Sequence, residues 1–242
     1  MRIVLMPDAS PKAELLRSLG RLARGLSALF WGLPAWLIVA VRTARAEWLA
    51  PWAVLPLLAL GGVLLFGLWQ MSAFQPQERP WRAALDRAKL LGLVNLGLSP
   101  FLYWWNRIHA LPADQTPPPV QWFFAVSVAL LALNGVLFLF NLNIVLERLG
   151  AMLPDETLRS DTRQFTAVNR LLLLALLVVA ALQRVRNQLP DLPHALSMLP
   201  AGLNGGVDWA QLLLLLLPLS MTMALIWKAK EAILQSAFGG RT

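Results

Sequence analysis

Residues 121–146 read QWFFAVSVALLALNGVLFLFNLNIVL, and no side chain in that stretch is ionisable. A helix needs about 20 predominantly apolar residues to cross a hydrocarbon core roughly 30 Å thick, so this run is long enough on its own. Five further apolar segments lie outward from it, at 26–41, 51–74, 90–105, 165–183 and 209–227. Segments 51–74 and 209–227 also have the length to span easily. Segments 26–41 and 90–105 sit near the lower limit of about 17 residues, which leaves a re-entrant or interfacial placement open for each. The reading is an all-α, polytopic transmembrane helical bundle of about six spans, forming a single integral membrane domain over residues 1–242.

Composition supports it. The chain is 57% hydrophobic and 14% charged, against about a quarter charged in a soluble domain. Exposing that much apolar surface to water would create patches that soluble monomers avoid. The chain has no cysteine, so disulfides, thiol catalysis and cysteine zinc sites are excluded. The net charge of +8 reads as cytoplasmic loops facing anionic headgroups rather than as a nucleic-acid surface, because no arginine-rich groove with interleaved aromatics accompanies it. Arg17, Arg21 and Arg24 before an apolar run, with Ala44-Arg45-Ala46 after it, imitate a signal peptide. The long basic region, Pro34 within the run and the flanking arginines favour an uncleaved first span.

Basic residues set the orientation. Six crossings with both termini cytoplasmic place 16 of the 21 lysines and arginines inside. Only Arg42, Arg45, Arg107, Arg184 and Arg186 fall outside, as the positive-inside rule expects. Trp48, Trp52, Trp104, Trp105, Trp122 and Trp209 mark the outer boundary, and Trp69, Trp81 and Trp227 the inner one. Tryptophan favours that level because its ring is apolar while its N–H wants a polar partner. Trp31 and Trp36 fall inside the first segment and suggest a shallow or tilted placement.

The connections are short. Pro117-Pro118-Pro119 reads as a stiff outer spacer. The longest outer loop, 184–208, carries Pro190, Pro193, Pro200, Gly202, Gly205 and Gly206, with room for a short helix near 194–199. Residues 11–25 place Arg17, Arg21 and Arg24 at i, i+4, i+7 beside Leu15, Leu16, Leu19 and Leu22, the layout of a cytoplasmic amphipathic helix lying along the interface. Those arginines are candidate contacts for anionic lipid. Pro154-Asp155-Glu156 resembles a helix start, with the run 157–169 a polar helix leading into the fifth span.

Recognisable catalytic motifs are missing: there is no P-loop, dinucleotide-binding glycine pattern, zinc-protease helix or nucleophile elbow. His109 and His194, both in outer loops near Asp114, Asp191 and Asp208, read as ordinary polar residues. No catalytic residue, cofactor or metal site is expected, and no ionisable side chain sits near the middle of a span, where ion pathways place them.

The remaining polar signal is a stripe. Ser127, Asn134 and Asn141 recur every seven residues and so share one helix face. Asn143 lies off it, and Asn95 is mid-segment on the third span, ahead of Ser99-Pro100. An unpaired amide facing lipid is costly, so the stripe should face another helix, with Asn95 the expected partner of Asn134. Such bonds act as interhelical glue worth about 0.6 kcal/mol each, or they line a polar path. Ala59, Gly61, Gly62 and Gly67, with Gly92 and Gly97, supply small surfaces for close helix approach.

These features favour a non-catalytic subunit or scaffold of a bacterial-type inner membrane assembly. Its partners would be the lipid bilayer and a membrane protein or a second copy. A small carrier or channel for a neutral or amphiphilic solute is the alternative, and a membrane enzyme acting on lipid comes third. The topology has a direct check, because the native chain offers no thiol. An impermeant thiol reagent applied to intact cells should label Thr116→Cys and leave Ser160→Cys unlabelled. Labelling of both, or the reverse pattern, contradicts six spans.

Overall fold

The computed structural model describes residues 11–45, 51–75, 77–109, 111, 117–153, 156–188 and 203–238. These form six long helices and one short 3-10 turn, Pro51–Ala53. The helices are α1 (Pro11–Ala44), α2 (Val54–Met71), α3 (Arg79–His109), α4 (Pro118–Met152), α5 (Glu156–Gln188) and α6 (Leu203–Phe238). No strand occurs among the described residues. Five helices are long and apolar enough to cross a membrane: α1 over Leu16–Ala44, α2 over Val54–Met71, α4 over Pro118–Met152, α5 over Arg159–Gln183 and α6 over Leu212–Gln235.

The exception, α3, is an unbroken 31-residue helix, not a re-entrant hairpin. Its average is diluted by the charged residues of its two ends, Arg79, Arg82, Asp86, Arg87, Lys89 and Arg107, and by Asn95 in its middle, while its outer face shows Leu90, Leu93 and Val94. It runs beside α4 from Ala84, next to Asn141, to Phe101, whose ring contacts Phe123 and Phe124.

Each helix runs antiparallel to the next. Gly25 faces Gly67 and Met71 while Gly32 faces Leu64, so α1 and α2 are opposed. Gly61 against Leu96 and Gly92 against Leu65 do the same for α2 and α3. Gly150 packs on Thr162 at the α4–α5 turn, and Lys228 pairs with Asp161 across α5 and α6. Helices α1, α2, α3, α4 and α6 pack in a ring, which α1 and α6 close, and α5 lies in the groove between α4 and α6. The main core joins Leu22, Leu26 and Leu29 of α1, Leu68 of α2, Leu85 of α3, Leu142 and Leu146 of α4 and Ile226 of α6.

Several connections differ from the sequence reading because the helices outrun the hydrocarbon. Residues 11–25 are no separate element, since α1 continues unbroken through Pro34 and Leu22 is fully buried in the protein core. Protein rather than headgroups covers that face. The triple proline is not a spacer: Pro117 caps α4 in an extended conformation and the next two prolines form its first turn, where a missing N–H costs nothing. Helix α5 extends to Gln188 and α6 starts at Leu203, so Gly205 and Gly206 are helical. The short helix expected near 194–199 lies outside the described residues. Of the small residues, Gly61, Gly67 and Gly92 sit at helix contacts, whereas Gly62 and Gly97 meet nothing within 4 Å.

The α1–α2 contact is close enough to test. A Cβ at Gly25 would stand 2.6 Å from the Gly67 carbonyl oxygen, which is backbone and cannot move aside. Gly25→Ala should lower the thermal unfolding midpoint in mild detergent, by a stability loss of about 1–3 kcal/mol. Gly20→Ala, with nothing within 4 Å, should be neutral or slightly stabilising because alanine is the better helix former.

Candidate functional site: the intramembrane polar groups

The expected stripe on α4 is buried: Ser127, Asn134 and Asn141 are each less than 10% exposed. Its partners are not the expected ones. Asn134 Nδ2 donates to the Leu91 carbonyl of α3 at 2.8 Å, one turn short of Asn95. Asn141 Nδ2 donates to the Ala84 carbonyl, also at 2.8 Å. Ser127 turns back on its own helix and donates to the Phe123 carbonyl at 2.9 Å. A helical carbonyl has a second lone pair beyond its i+4 bond, so α3 accepts both amides without losing a backbone bond. Asn95 stays half-buried, and its Oδ1 lacks a hydrogen-bond partner.

A second polar cluster lies among α4, α5 and α6. Asn143, Asn169 and Thr222 are completely buried. Asn143 Nδ2 donates to its own Leu139 carbonyl at 2.8 Å and to Thr222 Oγ1 at 3.1 Å. Asn169 Nδ2 lies 2.9 Å from both Asn143 Oδ1 and Thr222 Oγ1, and 3.1 Å from the Pro218 carbonyl. The Thr222 hydroxyl has one proton and places it on the Pro218 carbonyl at 2.7 Å, so it accepts from the two amides. Thr166 donates to the Asn143 carbonyl at 3.5 Å. Asn169 Oδ1 is left without a partner, the one unsatisfied lone-pair group in an otherwise closed network.

Charge reinforces the same junction. Arg170 pairs with Glu147 of α4 at 2.8 Å and stands 5.5 Å from the Phe140 ring centroid. Lys228 of α6 pairs with Asp161 at 2.7 Å. The buried positions of α5 among the described residues are Thr162, Thr166, Asn169 and Leu173, spaced 4, 3 and 4 residues apart, of which only Leu173 is apolar, and Phe165 packs half-buried against the core beside them. That spacing was visible in the sequence within the stretch read as an ordinary polar approach to the fifth span. Asn143 departs from the α4 stripe because it faces α5 and α6 rather than α3.

The arginines Arg17, Arg21 and Arg24 are exposed on one face of α1, and line a groove with Leu16, Gly20 and Gln70. The outer-loop histidine arrangement lies outside the described residues: His194, Asp114 and Asp191 are not described, nor are the side chains of His109 and Asp208. Among the described residues no group of three metal-binding side chains converges. No protein family matches the chain, and neither a curated protein nor a solved structure is significantly similar to it.

The two polar clusters should differ in how much they hold. Asn134→Leu removes a donor from a carbonyl that keeps its helix bond, so the loss should be about 1 kcal/mol or less. Asn143→Leu strips partners from Asn169 and Thr222 together, and should cost about 1–3 kcal/mol. Thermal or denaturant unfolding in detergent, compared for the two purified variants, measures the difference.

Proposed function

We propose that the chain is a non-catalytic structural subunit or scaffold of a bacterial-type inner membrane assembly. The observation that carries this reading is that four of its intramembrane amides are spent on other helices. Asn134 and Asn141 bond α3, and Asn143 and Asn169 bond each other and Thr222. A solute path needs polar groups free to exchange partners with the solute, whereas a scaffold needs them committed. The lipid bilayer contacts its apolar outer faces, and a membrane protein or a second copy is the expected partner.

The unpaired Asn95 Oδ1 favours the second reading, a small carrier or channel for a neutral or amphiphilic solute. Single cysteines at positions 95, 134 and 141 in native membranes separate the two. For a scaffold, all three should resist small water-soluble thiol reagents, and mild-detergent extraction should release the protein in a complex of fixed stoichiometry. Reaction at rates near that of Ser160→Cys, from a protein that extracts alone, reverses the ranking in favour of the carrier.

A further inference from the structure

We infer that the N-terminal half of α1 and the last turn of α2 form a binding site for the phosphodiester headgroup of an anionic glycerophospholipid. Arg17, Arg21 and Arg24 are spaced by 4 and 3 residues, so their guanidiniums share one helix face. The opposite face carries Leu22, Leu26 and Leu29, all fully buried, and this fixes α1 so that the arginine face points away from the protein. Gly25 packs beside Met71, the final residue of α2. The arginine-bearing turns therefore overhang the end of α2, and Gln70 closes the space beneath them. The resulting groove is about 530 Å³, lined by Leu16, Arg17, Gly20, Arg21, Arg24 and Gln70. At Gly20 a side chain would meet nothing within 4 Å, so that part of the groove is open.

Charge defines the ligand. Among the described residues the ion pairs use Arg82 and Lys89 with Asp86, Arg170 with Glu147, and Lys228 with Asp161. None engages the three arginines of α1. Like charges at i, i+4 on a helix destabilise it, and an anion between them removes that repulsion. A guanidinium presents a planar fork that matches two phosphate oxygens, and it stays charged at any physiological pH. Gln70 adds a neutral donor and acceptor suited to a headgroup hydroxyl or a phosphate oxygen. Leu16, 44% exposed, borders the groove with apolar surface. An acyl chain can lie there and a free inorganic anion gains nothing from it. A basic flank that only sets topology needs the charges but not Gln70, and that difference makes the site testable.

The test uses the full-length protein purified in a mild, uncharged detergent. Its thermal midpoint is followed against added phosphatidylglycerol, phosphatidylcholine and inorganic phosphate. Phosphatidylglycerol should raise the midpoint saturably, phosphatidylcholine should not, and inorganic phosphate should act only at concentrations about a hundredfold higher. Changing Arg17, Arg21 and Arg24 together to Gln should weaken the half-saturation concentration at least about tenfold. The matched change of Arg79, Arg82 and Arg87 to Gln on α3 should leave it within about twofold, since those charges lie outside the groove. Gln70→Leu keeps every charge and the topology. It should weaken binding by about two- to fivefold, so the site stays testable even if the arginine variant folds poorly. Equal responses of the two arginine variants, a shift that never saturates, or an unaffected Gln70→Leu variant would reduce the groove to a diffuse basic flank. Equal potency of inorganic phosphate would make the ligand a soluble anion instead.

Discussion

Inside a bilayer the hydrophobic effect does not push helices together, because lipid tails are as apolar as leucine, while an unpaired polar group has no water to turn to. Helix association then depends on close packing and on hydrogen bonds made across the interface. Both devices recur through this bundle. Where the sequence offers glycine, α1 and α2 come into backbone contact at Gly25 and Gly67. Where it offers asparagine, the amide reaches across to a carbonyl or hydroxyl on the neighbouring helix.

The dependence is clearest at α5. The other helices close a ring around a leucine-rich core, and α5 adds one buried apolar residue, Leu173, to it. Its outer face, with Val168, Leu171, Leu174, Val178 and Leu182, is exposed and suits lipid. Beside Leu173 and the half-buried Phe165, what fixes α5 against α4 and α6 is polar: the Asn143–Asn169–Thr222 cluster, flanked by the Arg170–Glu147 and Lys228–Asp161 pairs. Pro218 contributes by its place in α6. Its ring lacks an N–H, so the bond that would reach back one turn is missing, and its own carbonyl accepts from Thr222 and Asn169.

The sequence made the spans legible because apolar runs of sufficient length have few other uses. It understated the helices because their polar ends continue past the apolar run. Residues 79–89 and 228–238 carry charged side chains among apolar ones and are still helical. The burial of Ser127, Asn134 and Asn141 was also legible, since a seven-residue period puts them on one face. Their acceptors were not, because the carbonyls of Leu91 and Ala84 are backbone atoms that no residue identity announces. The Asn143–Asn169–Thr222 cluster needs three helices to assemble, so no single helix face displays it. Only the 4-3-4 spacing from Thr162 to Leu173 hinted at it.

Asn143 and Asn169, bonded to each other and to Thr222, act as one unit that docks α5. A double-mutant cycle with Asn143→Leu, Asn169→Leu and the combined variant, read as unfolding free energy in one detergent, tests it most directly. The two single losses should overlap, with the double variant losing less than their sum by at least about 0.5 kcal/mol. Additive losses, or single losses no larger than a few tenths of a kcal/mol, would show that α5 is held by something other than this network.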